Sequence, residues 1–276
     1  MDQFEYTTEI IQKMQRIEFD MLCELDRICK KHNISYQLDG GTFLGAVRHK
    51  GFIPWDDDID VRMLRSEYER FCEVCESELD KNKYFLQNHE TDPGFLWAYA
   101  RILRVGTSFY RQNQEMLTMR RGIFIDIFPC DGMPEKPFPK CIFNLRCLLA
   151  RKILYARVGA VHENNQIKRA GYKILRLISV EFAYRIIENL IGKFKNEDTL
   201  LVRTIGWGAP EENRGFKREW MLKSQMYEFN GMLFPAALDY NGFLTFLFGR
   251  NYMQPPPENE RYPKHIAEEI DFGNTI

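Results

Sequence analysis

The 276-residue sequence contains no run of about 18 uninterrupted apolar residues, so no transmembrane helix is expected. It also lacks the basic start, apolar middle and small-residue cleavage site of a secretory leader. Its seven cysteines are odd in number and irregularly spaced. Cys72 and Cys75 form a C-x-x-C, but in a helical stretch, and no second Cys or His pair follows at zinc-like spacing. Reduced structural thiols in a cytoplasm are the expectation. Neither sign of charge dominates: 38 Lys and Arg against 39 Asp and Glu give a net charge of −1, which argues against a general nucleic-acid binder. Internal repeats and low-complexity tracts are missing too. What remains is a chain that is 45% hydrophobic and 14% aromatic, enough for a sizeable core in one large domain or one domain with an insertion.

The most informative feature is Trp55-Asp56-Asp57-Asp58-Ile59-Asp60-Val61. In an extended strand, Asp58 and Asp60 project from one face while Ile59 and Val61 face the core. Two carboxylates that close repel, and a hard divalent cation with oxygen ligands, Mg²⁺ or Mn²⁺, is the usual solution. The bland alternative is a solvated acidic loop. Upstream, Leu38-Asp39-Gly40-Gly41-Thr42 reads as a strand end and a tight turn, and Phe43 to Arg48 as a short helix. Glycines at such a junction let a phosphate approach the backbone and the helix N-terminus. Arg48, His49 and Lys50 follow as candidate phosphate donors.

Thr8 to Lys31 reads as an amphipathic helix, with Ile10, Met14, Ile17, Met21, Leu25 and Ile28 at steps of three and four. A second helix is expected over Ser66 to Leu79, with Ser66 as N-cap and Glu69 as capping-box partner. Strands are expected at Tyr84 to Gln87, Trp97 to Leu103 and Gly122 to Phe128. Asp126 is a lone acid in the last of these, and a buried unpaired carboxylate is costly. A salt bridge would resolve it, and so would a shared metal. Pro129 to Pro139 reads as a Pro-rich boundary. From Lys140 to Lys195, 12 Lys and Arg face 3 Asp and Glu, about +9 in a chain that sums to −1. Ile174, Leu175, Ile178, Phe182, Ile186 and Leu190 run at helical spacing there, with Lys173, Arg176 and Arg185 among the polar positions. Two or three helices are expected. Their basic face is either simply solvated or meets an anionic membrane surface or glycan.

The stretch from Tyr36 to Val61, YQLDGGTFLGAVRHKGFIPWDDDIDV, closely resembles the LicD family of phosphocholine and related phospho-group transferases, which shares its core with the fukutin-related proteins. Phe234-Pro235, Tyr240 to Gly249 and Asn251-Tyr252-Met253-Gln254-Pro255-Pro256 resemble the family's closing pattern, with Arg261 and His265 after it. The 16 residues between Gly41 and Asp58 exceed the superfamily's usual spacing, but the longer form is itself LicD-like. The run Leu103 to Gly106 departs from the family, which often has polar and acidic residues there.

The resemblance implies an α/β (α+β) fold: a nucleotidyltransferase-like mixed sheet core with flanking helices and a helical insert. The corresponding organisation is 1–135 for the N-terminal helix and catalytic core, 136–200 for the basic insert, and 201–276 for a part completing the catalytic domain. It also implies Mg²⁺-dependent transfer of a phospho-alcohol group, phosphocholine foremost, from a CDP-linked donor to a hydroxyl of a cell-surface glycan such as lipopolysaccharide or teichoic acid, or its lipid-linked precursor. CMP leaves. The family places an acid at Asp126, so Asp58, Asp60 and Asp126 become the implied metal and catalytic set, with Asp126 alternatively the base. Gly40, Gly41, Thr42, Arg48, His49, Lys50 and Arg101 become the implied donor-binding set. Choline would call for aromatic faces, for which Trp55, Trp97, Tyr99 and Tyr110 are candidates. The implied setting is cytoplasmic, at most touching the inner face of the membrane. Two alternatives stay open: a nucleotidyl- or sugar-phosphate transferase with another donor, and a non-catalytic glycan- or membrane-binding protein.

Overall fold

The computed structural model of the chain describes residues 5–194 and 198–274. It is a mixed α/β structure in which a curled sheet is flanked by helices. The N-terminal stripe forms α1 (Thr8–His32), and Met14, Ile17, Met21, Leu25 and Ile28 are all buried. Thr7 caps it by accepting the Ile10 N–H. After β1 (Gln37–Leu38) come α2 (Gly40–His49), β2 (Asp60–Leu64) and α3 (Arg65–Glu78). Next are β3 (Tyr84–Gln87), β4 (Ala100–Arg104), β5 (Ser108–Arg111) and β6 (Phe124–Met133). Helix α3 starts one residue before the expected Ser66 cap, with Leu64 at the cap position and no side-chain cap. Arg65, its first residue, is held against β6 by a two-pronged pair to Asp131 at 2.7 and 2.8 Å.

The main sheet runs β1-β2-β6-β4-β3, with only β2 and β6 parallel. Alternation sorts its residues onto two faces. Ile59, Val61, Met63, Ala100, Ile102, Ile125 and Ile127 form the apolar face, fully or almost fully buried on the side of α1 and α3. Asp60, Arg62, Arg101, Asp126 and Phe128 occupy the other face.

Pro129 lies inside β6, where a boundary was expected. The Asp126 N–H points to β2, donating to the Ile59 carbonyl at 2.9 Å. Position 129 therefore points to the opposite edge. There β4 pairs through Ile127 and a later strand only from Asp131, so the missing proline N–H falls in the gap.

Three helices stand between β6 and that later strand: α4 (Pro137–His162), α5 (Gln166–Leu175) and α6 (Val180–Phe194). Lys195, the end of the expected basic region, lies outside the described residues. Phe143, Cys147, Ala150 and Ile153 of α4 pack on Ala183, Ile187, Leu190 and Phe194 of α6. Helix α5 lies on α4 through Tyr172, whose ring sits where a Cβ on Gly159 would come within 2.5 Å. The single stripe expected from Ile174 to Leu190 is broken by a turn at 176–179, and Ile174 is exposed. The break reflects a mismatch: Tyr172 faces α4, which turns Ile174 outward, whereas α6 buries its own apolar side.

The chain returns through β7 (Leu201–Arg203), α7 (Pro210–Arg214), β8 (Phe216–Lys217) and α8 (Arg218–Leu222). The hairpin β9 (Ser224–Phe229) and β10 (Met232–Ala237), then α9 (Tyr240–Phe248), complete the side of α2. Strand β11 (Ala267–Asp271) pairs with β5. Among the described residues, no helix is long and apolar enough to cross a membrane.

Candidate active site

Asp58 closes the loop before β2, and Asp60 begins the strand. Asp60 lies opposite Asp126 in the parallel register, and Arg101 lies opposite Asp126 on the far side. The loop is tied to α2: the Thr42 Oγ1 accepts the Asp60 N–H at 2.9 Å, and the Asp39 N–H donates to the Asp60 carbonyl at 3.0 Å. Gly40 has φ +51, and a Cβ there would come within 3.1 Å of Asp60 Oδ2. A Cβ on Gly41 would come within 2.7 Å of Asp56 Oδ2. The glycine pair thus lets two carboxylates lie on the first turn of α2, where free N–H groups and the helix dipole favour negative charge. Gly41→Ala is expected to displace Asp56 and lower turnover severalfold with little loss of melting temperature, read by parallel kinetics and thermal melts.

Burial and mutual repulsion dominate the electrostatics. Burial first, then Asp56, Asp57 and Asp126, push Asp58 up to about 8, with His265 opposing. Asp56 is pushed up to about 7 by burial and Asp57. Asp60 is driven well above the carboxylate range by burial, Asp58, Asp126, Asp39 and Asp56. Among the described residues, neither the Asp58 nor the Asp60 carboxylate accepts a hydrogen bond. Hard oxygen ligands crowded together, with repulsion outweighing the opposing His265, are the donor set that suits a divalent cation.

Asp126 meets Arg101, with Nε at 2.5 Å and Nη2 at 3.4 Å, and both side chains are buried. Arg101 is enclosed by the rings of Phe95, Tyr99 and Phe124. The structure therefore brings Asp126 close to Asp58 and Asp60 and also gives it the ion pair that was the simpler expectation. A second grouping overlaps the first: Asp57, Asp58 and His265 place ligand-type atoms within 4.8 Å of one another. Asp57 is already committed, accepting the backbone N–H groups of Lys264 and His265 at 3.0 and 2.9 Å. His265 Nδ1 is buried without a hydrogen bond, 3.6 Å from both Asp57 and Asp58.

Of the basic residues after the glycines, Arg48 lies near Asp56 and donates to the Tyr252 carbonyl at 2.9 Å. Burial, with Arg261 assisting, holds its pKa below the usual range. His49 is lowered by burial and by Arg48. Lys50 caps α2 with φ 58 and pairs with Glu228 of β9 at 3.3 Å, so its ammonium is not directed at the acids.

A cavity of about 380 Å³ opens beside this cluster, reaching from Asp126 and His265 to α4. Trp97, Tyr99, Tyr155 and Trp207 line it, with Arg111, Arg151 and Lys152. Two of the four aromatic candidates, Trp97 and Tyr99, are here. Trp55 lies under Arg261, and Tyr110 under Arg121. Sequence reasoning missed Tyr155, Trp207, Arg111 and Arg151, which no motif marks. It also missed Glu18, buried in α1 and raised by burial, Asp58, Asp57 and Asp56. A signal existed: Glu18 stands four residues from both Met14 and Leu22, inside the apolar stripe.

Residues 33–145, which carry the glycines and all three candidate aspartates, match the family model described as LicD/FKTN/FKRP, nucleotidyltransferase domain. Over 267 residues the chain is 30% identical to the lipopolysaccharide cholinephosphotransferase LicD of Haemophilus influenzae, covering 94% of this chain and 97% of that protein. The chain belongs to the LicD family. Shorter similarities connect it to uncharacterized proteins of Rickettsia typhi, 36% identical over 56 residues, and Rickettsia prowazekii, 39% identical over 49. The first covers 20% of this chain and 18% of its relative, the second 18% of each. The LicD relationship reaches beyond the matched core to the helical insert and the C-terminal segment, since the Haemophilus protein aligns over nearly the whole chain.

Proposed function

We propose that this LicD-family protein is a transferase that moves phosphocholine from CDP-choline to a hydroxyl of a cell-surface glycan or its lipid-linked precursor, releasing CMP. The observation that carries the reading is the cavity in which four aromatic rings adjoin the acid cluster. Trp97, Tyr99, Tyr155 and Trp207 offer π-faces to a quaternary ammonium. Arg111 and Arg151 have no hydrogen-bond or ion-pair partner among the described residues, and burial lowers the pKa of both. Both line the cavity and would serve as donors for the pyrophosphate. Asp58 and Asp60, with Asp126 beside them, would hold Mg²⁺ or Mn²⁺, and the bound ion supplies charge neutralisation at the pyrophosphate. The acceptor oxygen bonds to the phosphorus that carries choline, the bond from that phosphorus to the CMP oxygen breaks, and the electron pair leaves with CMP. His265 and Asp126 both line the cavity, and one of the two side chains takes the acceptor's proton.

The test is CMP release from CDP-choline, CDP-ethanolamine and CDP-polyols, with a lipopolysaccharide acceptor. CDP-choline is expected to be fastest. Trp207→Leu and Tyr155→Leu are expected to raise its KM about tenfold, consistent with about 1–2 kcal/mol for a desolvated cation–π contact. Preference for an uncharged alcohol donor would move the protein to another donor class. No CMP from any donor, together with no calorimetric signal for Mg²⁺ and nucleotide, would make it a binding protein.

A further inference from the structure

Helix α5 turns its apolar side outward. Ile167 is 85% exposed, Ile174 67%, and Leu177, in the turn that follows, 86%. Ile167, Ala170, Gly171 and Ile174 recur at helical steps and share this outer face. The single buried residue of α5 is Tyr172, pressed against α4 at Gly159. Lys168 and Lys173 are exposed on either side of the apolar strip, and Arg176 is exposed at the C-cap. No acid occurs between Glu163 and Glu181. A helix that solvent alone surrounded would place these cations outward and the isoleucines on α4. The first half of α4 adds a second exposed series at helical steps, Phe138, Ile142, Leu145 and Leu149.

We propose that α5 is an interfacial helix that lies on an anionic phospholipid bilayer, with Ile167, Ile174 and Leu177 among the acyl chains and Lys168, Lys173 and Arg176 at the headgroup phosphates. Apolar side chains flanked by cations on an acid-free helix are the combination that binds such an interface. A second copy of the chain is a poor occupant, because it would set the same cations against one another. The consequence for catalysis follows from α4. Its Lys152 donates to the Tyr172 hydroxyl of α5 at 2.5 Å and also lines the cavity, as does Tyr155. One helix therefore separates the bilayer contact from the cavity, about 10 Å for packed helices. That consequence rests on the proposed lipid-linked acceptor, whereas the bilayer contact does not.

The experiment is co-sedimentation of the full-length protein, without substrate, with vesicles of phosphatidylglycerol and phosphatidylethanolamine or of phosphatidylcholine alone. The protein is expected to bind the anionic vesicles at least tenfold more tightly, with affinity falling between low and physiological salt. The triple variant Ile167→Ser, Ile174→Ser, Leu177→Ser is expected to lose at least tenfold in vesicle affinity. It should keep the parent's circular dichroism, melting temperature and CMP release with a deacylated acceptor. Ile174→Trp is expected to lose emission on vesicles with brominated acyl chains, a direct reading of insertion. Binding indifferent to lipid charge, a triple variant that binds as well as the parent, or an unquenched Ile174→Trp would each overturn the proposal. So would a concentration-dependent dimer that the triple variant abolishes, since it would assign the face to self-association. Failure of CDP-choline turnover with vesicle binding intact would strike the proposed reaction and leave the bilayer contact standing.

Discussion

Asp60→Asn is expected to abolish turnover while making the metal-free protein more stable, and Asp58→Asn to do the same less completely. The substitution keeps the side-chain shape and removes a charge from a cluster in which Asp58, Asp126, Asp39 and Asp56 all raise the pKa of Asp60. Removing a ligand that neutralises phosphoryl charge costs about 3 kcal/mol or more of transition-state stabilisation, over a hundredfold in rate. Relief of repulsion among buried carboxylates is on the order of 1–3 kcal/mol in the other direction, on the fold. A variant that kept more than about a tenth of the parent rate, a barrier change under roughly 1.4 kcal/mol, would remove Asp60 from the metal assignment.

The same cluster gives this prediction a pH signature. Asp58 is held up to about 8 and Asp56 up to about 7, against ordinary values of 3.8. Between these limits the native state binds protons that the unfolded chain has released, so stability falls as pH rises. The penalty is absent below about pH 4 and fully present above about pH 8. Metal-free protein is expected to melt lower at pH 8.5 than at pH 5, and Mg²⁺ to restore more at the higher pH, because it binds the ionised form. Asp60→Asn should show a shallower slope and a smaller Mg²⁺ effect. Equal Mg²⁺ shifts at both pH values in the parent would contradict the assignment of the cluster as the cation site.

How far these features were legible depended on how local their causes are. The stripe of α1 and the strand Tyr84–Gln87 follow from short-range periodicity and appear where expected. The glycine pair was legible as the junction between strand and helix, but α2 begins at Gly40 where a turn before Phe43 was expected, and the purpose of the pair was hidden because Asp56 and Asp60 reach it only across the 50–59 connection. Pro129 misled because a proline inside a strand is tolerated only where the neighbouring ladders leave a gap, a fact about β4 and β7 and not about β6. Ile174 misled because a stripe reports that a helix has an apolar side and not what covers it. The cavity was illegible altogether. Trp97, Tyr155 and Trp207 come from three distant segments, and α4 must fold back over the sheet before they meet.

Asp126→Ala is expected to produce the second large effect, on stability as well as rate. Arg101 is 3% exposed, and Asp126 is its only ion-pair partner among the described residues. Removing one member of a buried pair typically costs about 3–5 kcal/mol, because the remaining charge is left without compensation. Arg101 keeps the Tyr99 hydroxyl at 3.1 Å and three aromatic faces, which reduces that cost without removing it. Turnover of Asp126→Ala is expected to vanish, but loss of fold and loss of chemistry would look alike in that variant. Asp126→Asn separates them. It retains an acceptor for the guanidinium, so it should melt above the alanine variant while remaining inactive. Mn²⁺ titration followed by water proton relaxation then divides the roles. An affinity at least tenfold weaker in Asp126→Asn would make the carboxylate a ligand as well as the partner of Arg101. Unchanged Mn²⁺ affinity with turnover lost would assign it to the acceptor's proton. If Mn²⁺ affinity and turnover both survive while Asp126→Ala still melts early, the pair with Arg101 is the whole of its role, and the cation is held by Asp58 and Asp60 without it.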